Sequence, residues 1–157
     1  MEATIRREKL IIPTYGQGAA EELPLVSDLR INQGTRGYIY PYRMSDKLTM
    51  VKEDKAYDAI RLENDFIRVT VLPELGGRIY EGYDKVNDYN FVYKNNVIKP
   101  ALIGLLGSWI SGGLEFNWPC HHRPSTYMPV DVQVEEEENG AVTVWMSENE
   151  PMNRMKG

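Results

Sequence analysis

The chain has 157 residues, 42% of them hydrophobic, and its 18 Lys and Arg against 23 Asp and Glu give a net charge of −5. This length is enough for one compact core, and a single cysteine excludes an intramolecular disulfide. The acidic balance and the scattered basic residues argue against a nucleic-acid surface, and no stretch is long and apolar enough to predict a membrane-spanning helix.

The N-terminus has no apolar run after its positive charges and therefore does not read as a secretory signal. A lone cysteine, Cys120, fits a reducing compartment, so we expect a cytoplasmic protein. We also expect one domain over residues 1–157. Because no Cys/His ladder with metal-ligand spacing is present, we predict neither a metal nor a cofactor.

Alternation of apolar and polar residues predicts β-strands in the first two thirds of the chain. The clearest case is the run in which Ile67, Val69 and Val71 alternate with Arg68 and Thr70, which predicts a hairpin strand with one buried face. The Gly-Gly pair that follows permits positive φ and lets the chain turn back. The predicted strands here are 10–12, 36–42, 56–62, 65–72, 78–80 and 89–93.

The last third of the chain also predicts β-structure. Four glycines between Pro100 and Gly113 argue against a helix there, so we expect buried extended chain and loop. Strands at 127–135 and 141–147 flank Asn139-Gly140, a strong hairpin signal, and the tail after residue 149 completes no predicted strand. The fold class is therefore predicted to be all-β, an antiparallel β-sandwich.

Chemically versatile residues are concentrated between Ser111 and Pro124. This segment holds both histidines, His121 and His122, together with the only cysteine, one of the three tryptophans, a carboxylate and an amide. An indole offers an apolar platform, and the polar groups supply directed hydrogen bonds. This mixture suits a sugar, whose C–H face stacks on an aromatic ring while its hydroxyls bind polar side chains.

Each of these residues also has a structural alternative. Trp118 can fill the core instead of stacking on a sugar, and Glu115 can form a salt bridge with Arg78 or Arg123 instead of binding a ligand. Neighbouring residues of an extended chain point to opposite faces, so at most one of the two adjacent histidines is expected to face a site. Cys120 is expected to be a buried, inert thiol rather than a nucleophile.

Two motifs carry a family resemblance. The Leu-Pro-Glu-Leu-Gly-Gly-Arg-Ile sequence at 72–79, and Gly-Gly-Leu-Glu-Phe-Asn-Trp-Pro at 112–119 followed by the two histidines, resemble the galactose mutarotase-like superfamily. The chain looks most like the bacterial domain family of unassigned function that often precedes tetratricopeptide repeats. The resemblance covers nearly the whole chain and implies the N-terminal part of a large antiparallel β-supersandwich with a carbohydrate site on its concave face.

The resemblance also implies roles for particular residues. In aldose 1-epimerases of this superfamily a histidine is the general acid on the ring oxygen, and a glutamate from the C-terminal half takes the proton of the anomeric hydroxyl group. His121 or His122 would be the acid here, Arg78 or Asn117 would help to hold the sugar, and the glutamate is expected beyond Gly157.

Three functional hypotheses follow. The first, motivated by the segment 112–122, is a carbohydrate-binding domain with Arg78, Glu115, Asn117 and Trp118 as binding residues. It requires no catalysis, which agrees with the lack of the Asn-x-x-His-Gly-Gly pattern of true epimerases. The second is an epimerase or another sugar-processing enzyme. The third is a structural or interaction module, which pairs with a second copy through exposed strand edges or acts beside a C-terminal repeat domain.

Overall fold

The computed structural model describes residues 2–26, 39–102, 108–117, 122, 124–151 and 154–157. In the described part of the chain, all strand pairs in the sheets are antiparallel, and the helical segments are two single 3₁₀ turns at Pro73–Leu75 and Pro124–Tyr127, so the all-β prediction is confirmed. Among the residues described, no helix has the length and apolar character needed to cross a membrane. The strands are β1 (Thr4–Gln17), β2 (Pro24–Val26), β3 (Ile39–Arg43), β4 (Leu48–Glu63), β5 (Ile67–Leu72), β6 (Arg78–Asp84), β7 (Tyr89–Asn90), β8 (Ala101–Leu102), β9 (Ser108–Trp109), β10 (Asp131–Glu136), β11 (Val142–Ser147), β12 (Asn149–Glu150) and β13 (Met155–Lys156).

A five-stranded sheet in the order β1-β4-β5-β6-β7 is the centre of the fold. Its longest ladder joins β1 to β4, with Thr4 opposite Glu63 at one end and Gln17 opposite Leu48 at the other. Pro13 lies inside β1, which is tolerated because β1 is at an edge of this sheet, where a missing N–H breaks no ladder.

Strands are observed at 10–12 and 56–62 as predicted, but both are longer than predicted. Both belong to strands that extend well beyond the apolar alternation, 14 residues in β1 and 16 in β4. Many of the extra residues are charged or exposed to solvent, and cross-strand pairs such as Lys9 with Asp58 lie along the ladder. The strand predicted at 36–42 is observed from residue 39, and its first residues lie outside the described part.

The turn between β5 and β6 has the predicted Gly-Gly conformation. Gly76 and Gly77 have φ values of 75° and 65°, which favour glycine over residues with a Cβ. A Cβ on Gly76 would lie 2.0 Å from the carbonyl oxygen of Thr126. A Cβ on Gly77 would meet the sulfur of Met146 at 2.5 Å. The two glycines therefore admit both the second 3₁₀ turn and the β10–β11 hairpin against the central sheet.

Four predictions were wrong in detail. The strand at 89–93 stops at Asn90, because the chain folds over Gly82, where a Cβ would lie 2.6 Å from the Phe91 ring. Ala101 and Leu102 are exposed rather than buried. The strand predicted at 127–135 is observed only from Asp131 to Glu136, because a 3₁₀ turn extends to Tyr127, and the tail forms the β12–β13 pair.

The core lies on one face of the central sheet, where the apolar ends of β1, β4 and β6 meet the segments that follow. Tyr80 links this core to the loops, since its hydroxyl donates to the carbonyl oxygen of Asn95 at 2.7 Å. The buried members of the core are Ile12, Tyr57, Ala59, Leu72, Leu75, Tyr80, Ile98 and Ile110. This core therefore fixes the positions of the strands that carry the charged residues of the candidate site.

Candidate functional site

The loop that bears Glu115 is pressed against strand β6 by two glycines. Gly112 and Gly113 have φ values of 88° and 74°. The N–H of Gly113 donates to the Tyr93 carbonyl at 2.7 Å, and Leu114 and Ile79 form a bridge with N···O distances of 2.9 and 3.3 Å. A Cβ on Gly113 would lie 2.6 Å from the oxygen of Ile79, so only glycine permits this approach.

Glu115 is the centre of a cluster of donors. Nη2 of Arg78 donates to Glu115 Oε2 at 3.2 Å, and Nε1 of Trp109 donates to the same oxygen. Nη1 of Arg78 donates to the carbonyl of Gly112, so one guanidinium binds both the carboxylate and the loop that carries it. The side chains of Arg78 and Glu115 are 2% and 9% exposed, and a pair so buried requires several partners.

His122 completes what we call the Glu115 cluster, namely Arg78, Trp109, Glu115 and His122. Its Nδ1 lies 2.7 Å from Glu115 Oε1, and its ring meets the Trp109 ring edge-on with centroids 5.0 Å apart. A carboxylate bound at one imidazole nitrogen fixes the orientation of the ring and directs the second nitrogen away. Since 48% of the His122 side chain is exposed, the cluster presents an oriented imidazole to solvent.

Arg78 stays charged although its burial disfavours the charged form. Burial lowers the pKa of Arg78 below its ordinary value, while the charge and the hydrogen bond of Glu115 act in the opposite direction. An arginine keeps its proton under these conditions, so the pair remains ionic. Of the two salt-bridge partners that the sequence left open for Glu115, the structure places Arg78 against it.

Three of the predicted site residues are brought together: Arg78, Glu115 and His122. Asn117 lies exposed two residues beyond Glu115 in the same loop. The predictions for His121 and Trp118 fall outside the described residues, as do those for Cys120 and Arg123.

Sequence reasoning missed Trp109. It lies in the segment predicted as buried loop, and the available signal was its position six residues before Glu115 in a glycine-rich stretch. A largely apolar groove of about 360 Å³ opens beside the loop, and its lining includes Phe116 and Trp145. Within the described part of the chain, no three His, Cys, Asp or Glu side chains lie together in a way that could hold a metal ion.

A family profile described as "Domain of unknown function (DUF5107)" matches residues 35–157. The chain belongs to this family. The matched range contains β3 to β13 and every residue of the Glu115 cluster, so the cluster lies within the DUF5107 domain.

The crystal structure of a TPR-domain containing protein from Parabacteroides distasonis ATCC 8503 is similar to this DUF5107 chain, with a TM-score of 0.76 at 23% sequence identity. The match covers 94% of this chain and 24% of that protein. The likeness shows a shared fold, and the chain spans about a quarter of the length of the solved protein.

Proposed function

We propose that this domain binds carbohydrate, and that its fold is the N-terminal part of a galactose mutarotase-like sandwich. One observation carries the proposal: the carboxylate of Glu115 is held by Arg78, Trp109 and His122, and the loop around it presents exposed polar and aromatic side chains. Because the carboxylate is fixed before a ligand arrives, the groups around it lose little conformational entropy on binding.

The exposed groups match the two faces of a pyranose. Phe116, 48% exposed, follows Glu115 directly and offers an aromatic face for the C–H side of the ring. His122 and Asn117 offer hydrogen-bonding groups for hydroxyls. Arg78 supports these groups by holding the loop through the Gly112 carbonyl and the Glu115 carboxylate.

Calorimetric titration of the protein with a panel of neutral mono- and oligosaccharides tests this proposal. We expect at least one sugar to bind, and Phe116→Ala and His122→Ala to weaken it by about tenfold each, the effect of losing about 1.4 kcal/mol. The matched control is Phe66→Ala, because Phe66 is 49% exposed and lies in the β4–β5 turn, outside the cluster.

Two outcomes would contradict the proposal. One is that no sugar in the panel binds the folded protein. The other is that Phe66→Ala weakens binding as much as Phe116→Ala, which would place the sugar elsewhere or show a general loss of structure. Near-ultraviolet circular dichroism of each variant separates these cases.

A sugar-processing enzyme of the aldose 1-epimerase type is the second candidate. The Nδ1 of His122 lies 2.7 Å from Glu115 Oε1, and an imidazole held in this way can act as a general acid. In this candidate His122 protonates the ring oxygen of an aldose. The base that removes the proton of the anomeric hydroxyl group would be a glutamate supplied by a further part of the sandwich.

Anomer interconversion followed by polarimetry tests the second candidate on its own. We expect His122→Ala to abolish any activity, and Glu115→Gln to lower kcat and shift its pH profile, because the amide no longer stabilises the protonated ring. Binding of sugar without interconversion would leave the carbohydrate-binding proposal standing and remove the enzyme. The third hypothesis, a module that pairs through its strand edges, stays a prediction, and light scattering at high protein concentration tests it.

A further inference from the structure

A second group of charged side chains lies on the central sheet, outside the Glu115 cluster. Glu81 on β6 is bound by Lys94 at 2.8 Å and has the Nε of Arg68 at 3.6 Å from its Oε2. Thr70 also donates to Glu81, at 3.3 Å. Burial raises the pKa of Glu81, but the hydrogen bond and charge of Lys94 and the charge of Arg68 outweigh it, so the pKa lies below its ordinary value.

These groups line a cavity of about 300 Å³, which we call the Glu81 cavity. This volume is at the small end of protein ligand pockets and is enough for a monosaccharide-sized molecule. The apolar part of its lining comes from β1, and the polar part comes from β4, β5, β6 and the loop after β7. The lining residues are Leu10, Ile11, Ile12, Pro13, Arg61, Arg68, Tyr80, Glu81, Lys94 and Asn96.

The cavity carries an excess of positive charge. Its cations are Arg61, Arg68 and Lys94, while the carboxylates bound to them are Glu81 and, on Arg61 at 2.5 Å, Glu8. One positive charge therefore has no carboxylate of its own, in a chain whose net charge is −5.

Neighbouring carboxylates do not cancel this excess. Glu63, which lies opposite Arg68 in the ladder, is itself bound by Arg6 and Lys85. Asp84 is engaged by the backbone and side chain of its own turn.

Hydrogen bonding shows the same imbalance. Among the residues that the structure describes, the Nε atoms of Arg61 and Arg68, like that of Arg78 in the Glu115 cluster, are buried and have no hydrogen-bond partner. The side chains of Arg68 and Lys94 are nevertheless 28% and 27% exposed, so other parts of these cations are accessible from the cavity. The guanidinium of Arg68 lies over the Tyr83 ring, with its carbon 4.6 Å from the centroid, and Lys94 lies 5.6 Å from the Tyr80 centroid. The aromatic rings fix both cations on the sheet, so an arriving anion meets donors that are already oriented.

We propose that the Glu81 cavity binds a small sugar acid, with the carboxylate of the ligand on Lys94 and Arg68. The excess cation selects a single negative charge. Glu81 and Asn96 supply acceptors for hydroxyl groups, and the apolar part of the lining, from β1, meets the C–H face of the ring. The inference is independent of the proposed function, because the cavity shares no residue with the Glu115 cluster.

Calorimetric titration at low ionic strength with D-glucuronate, and with D-glucose as the neutral counterpart, tests the inference. We expect glucuronate to bind the protein, binding to weaken as salt is added, and glucose not to compete. Lys94→Met is expected to weaken glucuronate by about tenfold, since a charge-assisted hydrogen bond is lost. Lys85→Met is the matched control, because Lys85 has similar exposure (33% against 27%) and also binds a glutamate, Glu63.

Two further variants separate ligand binding from structure. Glu81→Gln removes a competing carboxylate and is expected to tighten glucuronate binding several-fold, the opposite of what damage to the fold would do. Should Glu81→Gln fail to fold, Asn96→Trp at an exposed position fills the cavity without a change of charge and is expected to abolish binding. His122→Ala is expected to leave glucuronate binding unchanged, which distinguishes this site from the Glu115 cluster.

The inference is overturned if glucuronate does not bind the wild-type protein, or if glucose binds with equal affinity. It is equally overturned if Lys85→Met and Lys94→Met weaken glucuronate alike.

Discussion

Arg78 and Glu81 lie three residues apart on β6. Arg78 belongs to the Glu115 cluster and Glu81 to the Glu81 cavity, and these two charged groups differ in their balance of charge. In the Glu115 cluster one buried cation meets one carboxylate, and the remaining donors come from Trp109 and His122. In the Glu81 cavity two cations share one carboxylate. The charges of the first group are balanced and its cation fixes a loop, whereas the second group retains attraction for an anion. The balance of charge, as well as burial, therefore distinguishes a charged group that holds a loop in position from one that can bind an anion.

Removal of Arg78 tests the Glu115 cluster and should have the largest effect on stability. Arg78→Met leaves the carboxylate of Glu115 buried without its cation, which costs about 3 kcal/mol of unfolding free energy. Urea denaturation followed by fluorescence measures this change. The double variant Arg78→Met/Glu115→Gln should lose less than the sum of the two single variants. A loss as small as that of an exposed ion pair would show that the pair does not hold the loop.

The glycine that lets the loop approach β6 gives the next largest effect. Gly113→Ala forces a Cβ into a positive φ and against the Ile79 oxygen, and we expect a loss of about 2 kcal/mol or more. Gly140→Ala, at a φ of 83° in the β10–β11 loop, is the control for the conformational part alone. Equal losses in the two variants would argue against the close contact with β6.

Acid should reduce the contribution of Glu81 to the stability of the protein. The folded pKa of Glu81 lies below its ordinary value of 4.5, so its contribution to stability is present above that pH and is lost as the pH falls through the folded pKa. We expect the stability difference between wild type and Glu81→Gln to shrink on acidification. Urea titrations at neutral pH and well below pH 4.5 measure it, and a constant difference would contradict the assignment.

The smallest effect is expected for the Lys9–Asp58 ion pair, although its N···O distance is shorter than that of the buried Arg78–Glu115 pair. Lys9 Nζ lies 2.7 Å from Asp58 Oδ1, against 3.2 Å for Arg78 and Glu115, but both side chains are more than 60% exposed. Lys9→Met should therefore leave the denaturation midpoint unchanged within error. A loss comparable to that of Arg78→Met would show that distance rather than burial decides the strength of such pairs.

Local patterns predicted the β class and the Gly-Gly turn, because these depend on neighbouring residues. For Glu115 they offered Arg78 as one of two candidate salt-bridge partners beside a ligand role, and only the folded chain distinguishes these alternatives. They did not reveal the length of β1, since its charged residues find partners only in β4, about 40 to 60 positions away. They also missed Trp109, whose role depends on the loop fold that brings it to Glu115. They did not predict the Glu81 cavity either, because its cations come from two separate strands and from the loop after β7.

The long ladder between β1 and β4 also sets the order in which the sheet can assemble. Strands β4, β5 and β6 are consecutive and close through short turns, whereas Thr4 must find Glu63 across 58 intervening residues. Loop-closure entropy therefore favours the β4–β6 meander first and β1 last. Until β1 arrives, the 16 residues of β4 are an open template for another chain. The charged residues along β4 are thus a protection during folding as much as a feature of the folded state.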